Sequence, residues 1–103
     1  MQTFIDKYPK KDEAIKEIVR YILENPSGKV AVQCDSGKLA KQAGRDFIDY
    51  AKTLGVQFGL KNGGQILRKG SARVVFTTRS QRRDGRFSNY RQAIGWRECH
   101  YKE

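Results

Sequence analysis

Residues 29–54 read KVAVQCDSGKLAKQAGRDFIDYAKTL, and the two halves of this stretch follow different periods. Lys29–Cys34 is short, rich in valine and mostly apolar, which predicts a strand buried in a parallel or mixed sheet. Asp35 and Ser36 then offer helix caps. From there Leu39, Ala40, Ala43, Phe47, Ala51 and Leu54 repeat at the spacing of one helix face, and Gly55 stops the run. A strand that passes directly into an amphipathic helix predicts a right-handed crossover, hence an α/β sheet of two or three layers.

On the N-terminal side, residues 11–24 place Ala14, Ile15, Ile18, Val19, Ile22 and Leu23 on one helix face. Asp12 and Glu13 suit the first turn of that helix, and Asn25, Pro26, Ser27 and Gly28 end it. On the C-terminal side, Val56–Leu60 reads as a second strand, Asn62–Gly64 as a turn, and Gln65–Arg68 as a returning hairpin arm. Arg73–Thr78, RVVFTT, is the strongest strand signal in this half. The stretch RSQRRDGRFSNYRQ, residues 79–92, is polar and basic and reads as a long exposed loop; Trp96–Tyr101 reads as a last short strand. The expected fold is therefore a single α/β domain over residues 1–103. Its sheet is mixed or mostly parallel, with four to five short strands, and it carries two amphipathic helices.

Charge narrows the choice of partner. The chain carries a net charge of +10, and its two halves differ sharply: residues 1–54 hold 10 Lys/Arg against 8 Asp/Glu, whereas residues 55–103 hold 11 against 3. Between Lys61 and Arg91, nine basic side chains are opposed only by Asp84. Such a field draws a polyanion, and arginine in particular grips phosphate bidentately. An acidic protein would be drawn by the same field. No run of about 18 apolar residues exists to span a membrane, and the start MQTFIDKYPKK has no apolar leader, so the expected location is the cytoplasm. Cys34 and Cys99 are expected to be reduced there, and with His100 as the single histidine no metal site and no cofactor are expected.

Three motifs bear on chemistry. Ser36, Gly37 and Lys38 sit where a strand gives way to a helix, a place that favours phosphate, but the nucleotide-cradling pattern requires glycine and a hydroxyl residue where this chain has Val32 and Leu39. ATP hydrolysis is therefore not expected; an ordinary capped helix and a phosphate-contacting one both stay open. The basic loop interleaves Phe87 and Tyr90 with Arg83, Arg86 and Arg91, which pairs phosphate contacts with faces for base stacking. Trp96 is as suited to the core as to a base, and Phe87 as suited to pinning the loop. Cys99 and His100 are neighbours that a strand would point to opposite faces, so they form no nucleophile pair, and His100 reads as a surface or partly packed residue.

The segment KVAVQCDSGKLAKQAGRDFIDYAKTLGV resembles part of the RecA-like core of DEAD-box and related superfamily-two helicases, at the strand and helix that carry their proline-threonine-arginine-glutamate-leucine-alanine motif. Asp35, Ser36, Gly37 and Lys38 stand at the motif's first four places, and Leu39, Ala40 and Gln42 match its ending. Asn62, Gly63 and Gly64 resemble the family's double-glycine turn, and Thr77, Thr78 and Arg79 its threonine-containing strand end. The pattern aligns equally with the family's second core domain, where RRDGRF falls near an arginine-glycine motif. The likeness covers about residues 29–80 and implies contacts to a nucleic-acid backbone. The chain departs from the family in lacking a complete nucleotide loop and an Asp-Glu pair after RVVFTT, so the resemblance implies a module without a motor.

The expected function is thus nonenzymatic binding of DNA or RNA. Lys38, Lys41, Arg68, Lys69, Arg79, Arg82, Arg83 and Arg86 are the expected phosphate contacts, and Phe87 and Tyr90 the stacking faces. The alternative is a small basic interaction module or inhibitor, of the kind a virus encodes for use in its host's cytoplasm, that docks on an acidic protein. No membrane partner is expected under either reading.

Overall fold

The computed structural model describes residues 8–78, 85 and 87–100. Two helices, α1 (Lys11–Glu24) and α2 (Gly37–Thr53), accompany five strands: β1 (Lys29–Cys34), β2 (Gly59–Lys61), β3 (Ile66–Lys69), β4 (Ala72–Thr78) and β5 (Arg91–Ile94). They form one mixed sheet of order β2-β3-β4-β1-β5. β1 pairs in parallel with β4 on one side and β5 on the other, while β2 and β3 add antiparallel arms beyond β4. The fold is α/β, as the sequence leads one to expect.

Both helices cover the same face. Val30, Val32 and Cys34 of β1, with Val74 and Phe76 of β4, form one core cluster with Ile15, Val19 and Ile22 of α1 and with Ala40, Ala43, Phe47, Ile48 and Ala51 of α2. The alternation of a strand sends Lys29, Ala31 and Gln33 the other way. A line of aromatic rings, Phe58, Phe47, Phe76 and Trp96, runs through the core, with neighbouring centroids 5.2, 6.0 and 6.0 Å apart in edge-on geometry. Trp96 is fully buried, so its role is packing.

Local chemistry fixes the ends. Ser36 caps α2, its side chain accepting the Leu39 N–H at 3.2 Å. α1 has no side-chain cap, but Asp12 and Glu13 lie in its first turn, where the helix dipole favours them. The Asn25 side-chain amide donates to the Tyr21 carbonyl at 2.9 Å and closes the other end. In the 3-10 turn Asn62–Gly64 the backbone of Gly63 takes φ +68°, which favours glycine. That turn packs on α2 so closely that a Cβ at Gly44 would overlap the Gly64 carbonyl.

Three expectations are corrected. The second strand starts at Gly59 rather than Val56, because the Val56 N–H bonds the Ala51 carbonyl at 3.0 Å and its side chain enters the core. The loop assigned to residues 79–92 gives way at Arg91 to β5, whose residues RQAI hold a single β-branched side chain, Ile94, too little to mark a strand. The expected strand Trp96–Tyr101 is not formed over its described residues 96–100: Gly95 turns the chain against Gln33, with no room for a Cβ beside Cys99, and Arg97–Cys99 makes a 3-10 turn. Leu23 and Leu54, placed on the apolar stripes by spacing, are 54% and 39% exposed.

Among the described residues no helix is long and apolar enough to cross a membrane. Gly44→Ala should destabilise the fold by about 1–3 kcal/mol in urea unfolding, since the turn must move away from α2. Gly37→Ala, where a Cβ meets nothing within 4 Å, should stay within about 0.5 kcal/mol of the parent.

Candidate nucleic-acid interface

Among the described residues, the face of the sheet opposite the helices carries a row of cations in no ion pair. Lys29 of β1 is in register with Arg73 of β4, and Arg73 with Arg68 of β3. Residues paired across neighbouring strands share a face, and neighbouring strands lie about 4.8 Å apart, so the three cations form a row across the sheet. Tyr90, the residue before β5, extends that row at its other end, with Lys29 Nζ lying 5.7 Å from its ring centroid. Phe87 packs edge-on against Tyr90 at 5.1 Å. Ala31, Val75 and Thr77, on the same face, are buried, and Gln33 and Ile66 are half-buried.

The row has no internal neutralisation. Among the described residues none of Lys29, Arg68 and Arg73 has a carboxylate within 4.0 Å; the ion pairs there are Arg20 with Glu17 at 3.9 Å and His100 with Asp35 at 3.0 Å. Arg73 is steadied by donating to the carbonyls of Gly70 and Ala72, both at 3.1 Å, which orders its guanidinium without cancelling its charge. Like charges placed directly across a sheet repel. At the end of the row, Gly59 opposes Arg68 and presents no side chain.

Those residues selected from the sequence that are described lie on more than one surface. Arg68 belongs to the row, and Phe87 and Tyr90 border it, half-buried. Lys38 and Lys41 are exposed on the first turns of α2, in the helix layer. Lys41 lies with Arg45 beside the Gly63–Gly64 turn, its Cδ and Cε 3.5 Å from where a Cβ on Gly63 would stand, and neither cation has a carboxylate within 4.0 Å. This is a second, smaller basic patch. Lys69 stands apart, bordering a groove of about 310 Å³ with Leu23, Pro26 and Ser27. Arg79, Arg82, Arg83 and Arg86 lie outside the described residues.

Sequence reasoning missed Lys29, and used Arg73 only as part of a charge cluster. The signal was present: KVAV and RVVF each place a cation one residue before a core valine, so both cations fall on the face away from the helices.

Beyond the far end of β1 lies a buried polar cluster. His100 is 8% exposed, which corrects the expectation of a surface or partly packed side chain. Its Nδ1 lies 3.0 Å from Asp35 Oδ1, and Tyr8 stacks on its ring at 4.3 Å between centroids. Cys99 turns toward Cys34 rather than His100, and both thiols are free and fully buried. The hydrogen bond that the Cys99 S–H donates to Cys34, together with burial, pushes the Cys99 thiol far above its ordinary range. Among the described residues no group of three or more His, Cys, Asp or Glu is placed to hold a metal ion.

No protein-family model matches the chain, and neither a curated protein nor a solved structure matches it.

Two outcomes follow. Lys29→Gln combined with Arg68→Gln should raise unfolding stability at low salt by about 0.3–1 kcal/mol, with the gain fading near 1 M salt as screening removes the repulsion. Native protein should resist dithiobisnitrobenzoate at neutral pH and yield two thiols only on denaturation, because a buried protonated thiol does not attack.

Proposed function

We propose that this chain is a nonenzymatic nucleic-acid-binding protein that holds a phosphate backbone along the sheet face opposite its helices. The observation that carries this reading is the register of Lys29, Arg73 and Arg68, three cations on neighbouring strands with no neutralising carboxylate among the described residues. Such a row costs the free protein stability, and phosphates laid along it convert that repulsion into attraction. Tyr90 and Phe87 border the row where a base next to a bound phosphate would stack.

The loop cations Arg79, Arg82, Arg83 and Arg86 enter this reading by their place in the sequence between β4 and β5. Lys38, Lys41 and Arg45 form a separate contact for a longer ligand. The resemblance of residues 29–80 to a helicase core accords with backbone binding, while Val32 and Leu39 at two key places of the nucleotide loop argue against a motor. In this reading the protein works in the cytoplasm with no cofactor.

The test is fluorescence anisotropy with labelled single-stranded DNA, duplex DNA and RNA at two salt concentrations. The expected result is micromolar or tighter binding whose logarithm falls linearly with the logarithm of salt. Each of Lys29→Gln, Arg68→Gln and Arg73→Gln should make that slope shallower by about 0.7–0.9, and Tyr90→Ala should cost about 1–3 kcal/mol on single strands. Slopes unchanged by all three cation variants would remove the row from the site. No binding to any of the three probes at low salt would assign the basic field to an acidic protein instead.

A further inference from the structure

β5 closes one end of the sheet order, so one of its edges bonds β1 while the other faces away from every described strand. Sheet edges are commonly blunted by proline, a bulge or a crowd of charges; β5 reads Arg91-Gln92-Ala93-Ile94 and has none of these beyond its first residue. Ile94 is 56% exposed at this edge. A groove of about 490 Å³ runs between β5 and α1.

The groove has a character unlike the rest of the chain. Glu13, Glu17 and Glu24 of α1 line it, over a floor that includes Ala14, Ile18 and Ala93. Its two cations are already engaged: Arg20 lies 3.9 Å from Glu17, and the Arg91 guanidinium rests 4.9 Å from the centroid of the Tyr21 ring. Among the described residues Glu13 and Glu24 have no cation within 4.0 Å. A groove with an acidic rim selects against a nucleic acid, and in a two-fold pairing of β5 edges with a second copy it would face its own carboxylates.

From this we infer that the β5 edge and the α1 groove together bind an extended peptide of a partner protein, in which basic residues alternate with apolar ones. The peptide adds as a sixth strand, its main chain bonding the free edge of β5. Alternate side chains of an added strand point to opposite faces. Those directed toward α1 pass over Ala14 and Ile18 and end at the glutamates, which suits the apolar stem and charged head of Lys or Arg. Those directed the other way lie beside Ile94, which shares its face with Gln33 rather than with the helices, and suit an apolar residue.

The test uses the full chain and a fluorescein-labelled hexapeptide that alternates lysine with valine. Binding should be saturable, with backbone amide shifts at residues 91–94 and along α1. Replacing lysine by glutamate in the peptide should weaken binding by at least about tenfold, and Glu13→Gln with Glu17→Gln in the protein by about fivefold or more. Two peptides N-methylated on complementary alternate nitrogens keep the charge. One should lose at least about tenfold and the other should bind like the parent, because only one set of N–H groups faces β5. Arg68→Gln, on β3 across β4 and β1 from the β5 edge, should leave peptide binding unchanged. Equal binding by the glutamate peptide, equal behaviour of the two methylated peptides, or shifts elsewhere than β5 and α1 would overturn the assignment. Concentration-dependent dimerisation abolished by Glu17→Lys would overturn it in favour of a second copy of the chain.

Discussion

β1 bonds in parallel to β4 on one side and to β5 on the other, and nearly every other contact depends on that placement. Being central, it alternates between two environments at each step: Val30, Val32 and Cys34 pack under the helices, and Lys29, Ala31 and Gln33 face away. The helix-covered side secures the fold through apolar burial. The other side inherits its layout from the same register, so the cations at the first positions of β1 and β4 are brought level by the pairing that aligns Val30 with Val74. Core and interface are two readings of one alignment.

The two glycine contacts extend this economy to the periphery. Gly44 on α2 and Gly64 in the hairpin turn approach more closely than any side chain would allow, which seats the β2–β3 arm against the helix and brings Lys41 and Arg45 beside the turn. Gly95 does similar work at the other end, where its missing Cβ leaves space for the Cys99 sulfur and lets the chain fold back beneath β1. Basic side chains in α2 and buried sulfurs in the C-terminal turn are thus positioned by backbone proximity rather than by pairing among themselves.

Much of the fold was legible in the sequence because its signals are local. α1 and β1 carry complete periodic patterns with clear stops, and Ser36 lies where a helix cap belongs. β5 was not legible: a four-residue edge strand of Arg, Gln, Ala and Ile has no period and only one strong strand former, and exists because β1 offers it an unsatisfied edge. The candidate interface was legible only in part. Charge density pointed to the second half of the chain, but a row across a sheet depends on which strands pair and in what register, and that is long-range information. Lys29 and Arg68 are far apart in sequence, and only Arg73 between them makes them neighbours. His100 was misjudged for a related reason: its partner Asp35 lies at the opposite end of the sequence span, and nothing local announces the pair.

The order of the strands also governs how the chain can come into being. β1 is the first strand to be synthesised and sits at the middle of the sheet, yet its two partners are β4 and β5, the last two strands in the chain. Until residues 72–78 exist, β1 has no neighbour on either side, and until residues 91–94 exist it has an open edge. The pairings that matter most are therefore also the most distant in sequence, which slows folding and makes it wait for residues 91–94. On a ribosome, α1 and α2 would emerge with their apolar faces bare and the strand that should cover them unpaired. The architecture commits this protein to folding all at once and late, with little room for a stable partial product.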